Sequence, residues 1–352
     1  MITEVTGNLL KSKDDALVNT VNCVGFMGKG IALQFKKAFP ANFIAYQKAC
    51  KAGEVQPGKM FIWRSEDLLN TKYVINFPTK RHWKGKSRLE DVKAGLTALV
   101  AEVQTLGIRS IAIPPLGCGL GGLSWREVKP LIEQAFAALP EVDVHVYAPK
   151  GEPDVHHQVN RTPKPALTHA RALFIRLMAQ YAGLDYRLSL LEIQKLAYFL
   201  QESGEPLRLK FDEHFYGPYA DNLNKVLEIL EGHYSQGYSG DRKPDTPLTL
   251  LNGASVEADQ FLKAEADDES LKRLDRVSKL IDGFETPYGM ELLASVYWVA
   301  THPSDSTDSD ITIEQIIDRI HRWTRRKAIV MKPLHIRTAY NRLVEQGWLL
   351  HS

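Results

Sequence analysis

The chain has 352 residues, with 44 Lys and Arg against 42 Asp and Glu, 44% hydrophobic residues and three cysteines. That length exceeds one ordinary core and suits two domains, and the apolar share excludes a disordered chain. No apolar run approaches the ~18–20 residues needed to span a bilayer, so no membrane partner is expected.

Cys23, Cys50 and Cys118 form no CxxC pair, which argues against a disulfide framework. The start, MITEVTGNLL, carries no charged-then-apolar leader. A cytoplasmic protein is expected. The near-neutral total hides a split: residues 1–150 hold 20 Lys and Arg against 13 Asp and Glu, a charge of +7, and the remainder 24 against 29, a charge of −5. A positive first half suits a phosphate-rich partner. The acidic second half suits a basic protein better than DNA.

In chain order, residues 16–22, 60–63, 72–77, 109–114 and 143–147 read as strands. Residues 31–39, 88–106 and 125–139 have helical spacing, with Leu89, Val92, Leu96 and Val100 as one apolar stripe. Such alternation predicts an α/β domain, a largely parallel sheet between helices. Two of its strand-to-helix junctions are glycine-rich: VNCVGFMGKGIA after the first strand and PPLGCGLGGLSW after the fourth. Glycine lets a ligand approach the backbone closely, and a following helix start offers free N–H groups that suit phosphate. Two such loops at strand ends predict a crevice for a dinucleotide-like ligand.

Residues 149–165, PKGEPDVHHQVNRTPKP, read as a linker. The adjacent His156 and His157 within it point different ways, so no metal site is expected there. Beyond it the pattern is mainly helical. Leu173, Phe174, Leu177, Met178 and Tyr181 make one stripe, and helical spacing recurs at 190–200, 223–230, 271–280, 290–299, 313–323 and 338–349. Residues 232–253 read as a turn-rich excursion. The ending, a helix followed by EQGWLLHS, predicts a winged-helix-like hairpin. The Tyr198, Phe199 and Trp298 aromatics are expected in the core.

The run Thr6-Gly7-Asn8-Leu9-Leu10, the VNTVN stretch, Gly28-Lys29-Gly30-Ile31-Ala32 and the PPLGCGLGG loop resemble the macrodomain family, which binds ADP-ribose, over 1–149. FMGKGIALQFKKAFP and the Thr79-Lys80 pair are most similar to its branch of antitoxin glycohydrolases that remove ADP-ribose from DNA. The segments LEIQKLAYFL and FYGPY loosely resemble a helical antitoxin domain. The resemblance implies three parts: a macrodomain (1–149), a linker (150–165) and a helical toxin-binding domain (166–352).

It also implies a site. Asn8, Leu9, Gly28, Lys29, Gly30, Ile31, Pro115, Leu116, Gly117, Cys118, Gly119, Leu120, Gly121 and Tyr147 would hold ADP-ribose, with Tyr147 stacked on adenine and the glycine loops on the diphosphate. An aspartate commonly contacts adenine where Asn8 stands, so that contact would lean on backbone groups. Asn22 would orient the distal ribose, because an amide both donates and accepts. Lys80 stands at the catalytic lysine position of this branch, as nucleophile or base. Arg81 and Lys84 are expected as the cations that help it lose its proton.

A related human glycohydrolase acting on glutamate esters carries an aspartate where Gly121 stands. A carboxylate-free GCGLGG loop therefore fits a better leaving group, such as the delocalised imide of thymine. Arg81, His82, Trp83 and Lys84 interleave an aromatic with cations, the pattern that grips single-stranded nucleic acid. Cys118 is expected to pack rather than react, and no cofactor or metal is expected.

The resemblance implies a glycohydrolase that removes ADP-ribose from thymidine in single-stranded DNA. Its second domain would bind and block a partner ADP-ribosyltransferase toxin. Two alternatives are a non-catalytic ADP-ribose reader and a transcriptional autoregulator using the run His321-Arg322-Trp323-Thr324-Arg325-Arg326-Lys327.

Overall fold

The computed structural model describes residues 1–65, 71–149, 159–183, 188–238, 240, 242–265, 267–302 and 311–349. The expected histidine pair at 156 and 157 lies outside them. The chain divides into two compact units, Met1–Pro163 and Lys164–Ser352.

The first unit contains strands β1 (Ile2–Val5) and β2 (Ala16–Asn22), helices α1 (Gly30–Ala38) and α2 (Pro40–Lys51), then strands β3 (Phe61–Arg64) and β4 (Tyr73–Lys80). Helix α3 (Leu89–Thr105), strand β5 (Ser110–Ile113), helix α4 (Trp125–Phe136) and strand β6 (Asp143–Tyr147) follow. They form one six-stranded sheet in the order β1-β6-β5-β2-β4-β3, parallel throughout except for antiparallel β3 at the edge. All five parallel strands therefore deliver their carboxyl ends to one rim.

Burial on both faces explains the near-continuous apolar strands: Ala16, Leu17, Val18, Val74, Ile75, Ile111, Ala112 and Ile113 are wholly buried. Helix α3 buries Val92, Leu96, Leu99 and Val103, while Leu89 and Val100 are only partly covered. The stripe thus continues through Leu99 and Val103 rather than Val100. Gly95 makes the packing possible, since a Cβ there would lie 2.2 Å from Cζ of Phe77 on β4.

Strand β4 runs three residues further than its apolar pattern, through Pro78 and Thr79. Proline has no N–H for the ladder, and there the pairing slips: Val21 faces Pro78, but Asn22 faces Lys80, with Thr79 passed over. The bulge sets Lys80 directly across from Asn22 at the sheet's rim. One layer below, the buried amides of Asn19 and Asn76 join across the same strands, Nδ2 of Asn19 donating to Oδ1 of Asn76 at 3.0 Å. Asn76 in turn donates to Oδ1 of Asn42 on α2 at 2.7 Å. Residues 159–163, at the end of the expected linker, lie on this unit. Val159 packs on the core beside Phe35 and Phe39, and the Arg161 N–H donates to the Lys37 carbonyl at 2.9 Å.

The second unit contains α5 (His169–Ala182), strand β7 (Leu188–Ser189), α6 (Leu190–Glu202), a hairpin of β8 (Phe211–Asp212) and β9 (Tyr219–Ala220), and α7 (Leu223–Leu230). Strands β10 (Ser235–Gln236) and β11 (Pro247–Leu250), in the expected excursion, make a small antiparallel sheet with β7. Helices α8 (Ala254–Glu265), α9 (Asp268–Ile281), α10 (Pro287–Thr301), α11 (Ile313–Trp323), α12 (Arg325–Val330) and α13 (Pro333–Glu345) complete it. The stripe on α5 is buried as expected, as are Tyr198 and Phe199, and Trp298 packs partly buried beside them.

The expected winged-helix hairpin does not follow α13 among the described residues. Gly347 takes φ +65° and turns Trp348 back, so its N–H reaches the Leu343 carbonyl at 2.8 Å and its indole meets Phe199 and Tyr297 edge-on. Part of the basic run before α13 is also engaged internally, while its Arg322 and Arg325 are exposed. Lys327 is wholly buried, donating to Glu291 at 2.7 Å and Ser295 at 2.9 Å, and Arg326 pairs with Glu291 at 2.8 Å. His321 Nε2 lies 2.8 Å from the Met331 carbonyl.

Candidate active site

Two loops and one strand end converge at the rim. The first loop leaves β2 at Asn22, turns at Gly25 (φ +81°) and enters α1 at Gly30 (φ +54°). Asn22 is 7% exposed and shapes this loop. Its Oδ1 accepts from the N–H groups of Val24 at 3.0 Å and Phe26 at 3.3 Å, and its Nδ2 donates to the Phe26 carbonyl at 2.6 Å. Tyr46 from α2 donates to the Asn22 carbonyl at 2.5 Å. The amide read as a ribose contact therefore bonds within its own loop. The N-cap, Lys29, makes no side-chain capping bond, so its side chain does not satisfy the first N–H groups of α1 at the positive dipole end. Gly28 has no protein atom within 4 Å of a would-be Cβ.

The second loop leaves β5 and folds on itself. The Cys118 N–H donates to the Pro115 carbonyl, Leu123 to Gly117, and Gly122 to Gly119, each near 3 Å. Its glycines differ. Gly117 (φ +71°) and Gly122 (φ +81°) need left-handed backbone, whereas Gly119 and Gly121 do not. Gly119 faces open space, but a Cβ on Gly121 would lie 2.2 Å from both the Gly117 carbonyl oxygen and Ser87 Oγ. The absence of a carboxylate at Gly121 is thus enforced by packing. Leu116 is wholly buried and acts as core, and Leu120, 63% exposed, reaches across to within 3.8 Å of the Cβ position of Gly30. The two loops meet there.

Lys80 points into this meeting. Its Nζ donates to the Leu120 carbonyl at 2.7 Å. Partial burial, and then the Lys86 ammonium, hold its pKa below the ordinary lysine value. Lys86 is the cation that acts on it, not Arg81 or Lys84 as expected. Arg81 turns away and forms a two-pronged pair with Asp91 on α3, at 3.0 and 3.2 Å. Asp91 is 6% exposed, so this pair ties the segment after β4 to the first turn of α3. His82, Trp83 and Lys84 remain exposed, with His82 stacked on Trp83 and the Lys84 ammonium 5.0 Å from the indole centroid.

The remaining residues sit on the other side of the rim. Asn8 caps the short helical turn at Leu9–Lys11, its Oδ1 accepting from Leu10 N–H at 3.0 Å, and Leu9 is buried. Tyr147 ends β6, half-buried against Phe35 and its neighbours, and desolvation raises its pKa. The Cys118 thiol is pushed up to about 11 by desolvation and stays protonated, which fits packing rather than attack. Among the described residues no three His, Cys, Asp or Glu side chains gather as metal ligands, and no helix is long and apolar enough to cross a membrane. The sequence marks Lys86 only as one cation of a basic segment and Phe26 only as part of a family-like run, and nothing local marks Tyr46; what they touch depends on contacts across the fold.

Residues 18–132 match the Macro domain family. Over 351 residues the chain is 47% identical to the DNA ADP-ribosyl glycohydrolase of Thermus aquaticus, covering 99% of this chain and 94% of that protein. It is 39% identical over 362 residues to the DNA ADP-ribosyl glycohydrolase of Mycobacterium tuberculosis, covering 98% and 99%. A DNA ADP-ribosyl transferase-DNA ADP-ribosyl glycohydrolase fusion protein of Thermosipho africanus is 38% identical over 168 residues, 43% of each chain. With a macrodomain at the front and similarity running through both units, the chain belongs to the DNA ADP-ribosyl glycohydrolase family, hydrolases acting on glycosidic bonds.

Proposed function

We propose that the first unit removes ADP-ribose from thymidine in single-stranded DNA, and that the second unit binds and blocks an ADP-ribosyltransferase toxin. The observation that carries the first part is the partly buried Lys80 amine, held 2.7 Å from the Leu120 carbonyl at the junction of the two loops. ADP-ribose lies with its diphosphate between the α1 amino terminus and the Pro115–Gly121 backbone, its adenosine end toward Asn8 and Tyr147, and its distal ribose at Asn22 and Lys80.

The neutral Lys80 amine then attacks C1″, or deprotonates the water that does. In either route the bond from C1″ to thymine N3 breaks. Its electron pair leaves with the base, spread over two carbonyl oxygens, so no protein carboxylic acid has to protonate it. The carboxylate-free second loop suits that leaving group. In the first route water then displaces Lys80 from C1″, in the second its hydroxyl is already bound there, and in both the proton released passes to the thymine anion, which leaves Lys80 neutral again.

Support for the toxin partner comes from the fusion relative, whose name joins a transferase to a glycohydrolase. The acidic second unit suits contact with a basic DNA-binding cleft, and its partner would act in the cytoplasm. The test uses purified protein with ADP-ribosylated single-stranded DNA and, separately, an ADP-ribosyl-glutamate peptide. Release of ADP-ribose from the DNA and little from the peptide is expected. Release from the peptide alone would overturn the reading.

A further inference from the structure

The loops at the sheet rim carry large apolar side chains in water. Phe26 is 58% exposed, Trp83 46%, Leu120 63% and Val24 40%. Clustered exposed apolar surface of this kind marks a contact surface. Phe26 and Trp83 come from different segments, four residues after Asn22 and three after Lys80, yet their ring centroids stand 5.9 Å apart at 43°. Phe26 is held firmly, because Asn22 binds both its N–H and its carbonyl. Trp83 is flanked by His82, stacked at 5.5 Å, and by the Lys84 ammonium.

These facts limit what the pair can do. Rings tilted and already in contact leave no slot for a third ring between them, so a ligand lies on their outer surface. The pair adjoins the two residues, Asn22 and Lys80, that face each other across the sheet rim. The group bonded to C1″ is the first to emerge from the crevice at that point. The Lys84 ammonium lies over the Trp83 ring, so a planar base that stacks there displaces it toward the phosphate attached to that base.

We propose that Phe26 and Trp83 form the platform on which the departing base itself stacks, with Lys84 on the phosphate of the same nucleotide. This rests on the glycohydrolase reading above. The platform fixes the base plane relative to C1″ and makes the enzyme specific for an aromatic leaving group rather than for ADP-ribose alone.

The test compares the full-length protein with Phe26→Ala, Trp83→Ala and the double variant on two substrates. One is an ADP-ribosylated single-stranded oligonucleotide; the other is the ADP-ribosyl-thymidine nucleoside obtained from it by digestion. Base stacking of the ordinary strength predicts a loss of about 5- to 150-fold in kcat/KM for the double variant on both substrates. Affinity for free ADP-ribose, measured by calorimetry, should stay within about two-fold of wild type, and Phe26→Tyr with Trp83→Phe should restore most of the rate. Unchanged turnover on both substrates overturns the proposal. So does a loss confined to the oligonucleotide, which would place a neighbouring base on the rings, or an equal loss of ADP-ribose affinity, which would make them walls of the crevice. If the wild type releases ADP-ribose from neither substrate, the glycohydrolase reading fails instead.

Discussion

An ammonium is no nucleophile, so a catalytic lysine needs surroundings that favour its neutral form. Lys80 has two. Partial burial removes water that would solvate the charge, and Lys86 places a second positive charge nearby. Both lower the pKa, and desolvation is the larger effect. The proposed chemistry uses the neutral amine, so activity should rise with pH through the Lys80 pKa. Replacing Lys86 with Met removes the repulsion and raises that pKa, moving the rising limb of the kcat profile to higher pH. An unmoved limb would detach Lys86 from the mechanism. Lys80→Ala should lose about 10²–10⁴ in rate while keeping ADP-ribose affinity within a few-fold, read by turnover and calorimetry on the same preparation. Unchanged turnover would remove Lys80 from the reaction.

Glycines in one loop serve different ends, and substitution separates them. Gly119 has open space at its Cβ position and ordinary backbone φ, so Gly119→Val leaves the fold alone and fills the expected phosphate path. Its thermal midpoint should match wild type while ADP-ribose binding is lost. Gly121→Ala instead drives a methyl against the Gly117 carbonyl and Ser87. The loop must shift, at a cost of about 1–3 kcal/mol by analogy with overpacked cores, visible as a lowered denaturation midpoint. The same midpoint for both variants would show that the two positions are equivalent.

Much of this architecture was legible in the residues. The β2 and β6 strands and both glycine loops stand where apolar alternation and glycine density put them. Strand β1 was not legible, because Ile2–Val5 is largely exposed and gains its strand character from pairing with β6. Helix α2 was missed because its apolar residues make no clean stripe: Tyr46 is buried while Ile44 is 68% exposed. The last residues of β4 were hidden behind Pro78, beside which the pairing shifts register and sets Lys80 across from Asn22. Lys80 was readable through family resemblance, but its pairing with Asn22 and its coupling to Lys86 depend on the fold.

At the scale of the molecule, the two units answer to different physical demands. The first has a positive sum and a mostly parallel sheet with two glycine-rich loops at its strand ends. The second, Lys164–Ser352, holds 23 Lys and Arg against 27 Asp and Glu, a charge of −4, and is built mainly of helices. Its basic run, which favoured a DNA-binding autoregulator, spends Lys327 and Arg326 on the buried Glu291. We propose that the net negative charge of this unit meets a basic counterpart, such as the DNA cleft of a transferase. Residues 1–163 alone should then hydrolyse ADP-ribosylated DNA and fail to hold the toxin. Residues 164–352 alone should bind the toxin and block DNA modification without releasing ADP-ribose. Exposed charges are screened beyond ~8 Å at physiological ionic strength, so association of the second fragment should slow as salt rises. Pull-down, modification assays and association rates at two salt concentrations check all three expectations. Tight toxin binding by residues 1–163, or DNA binding without toxin binding by residues 164–352, would overturn this division and return the autoregulator to first place.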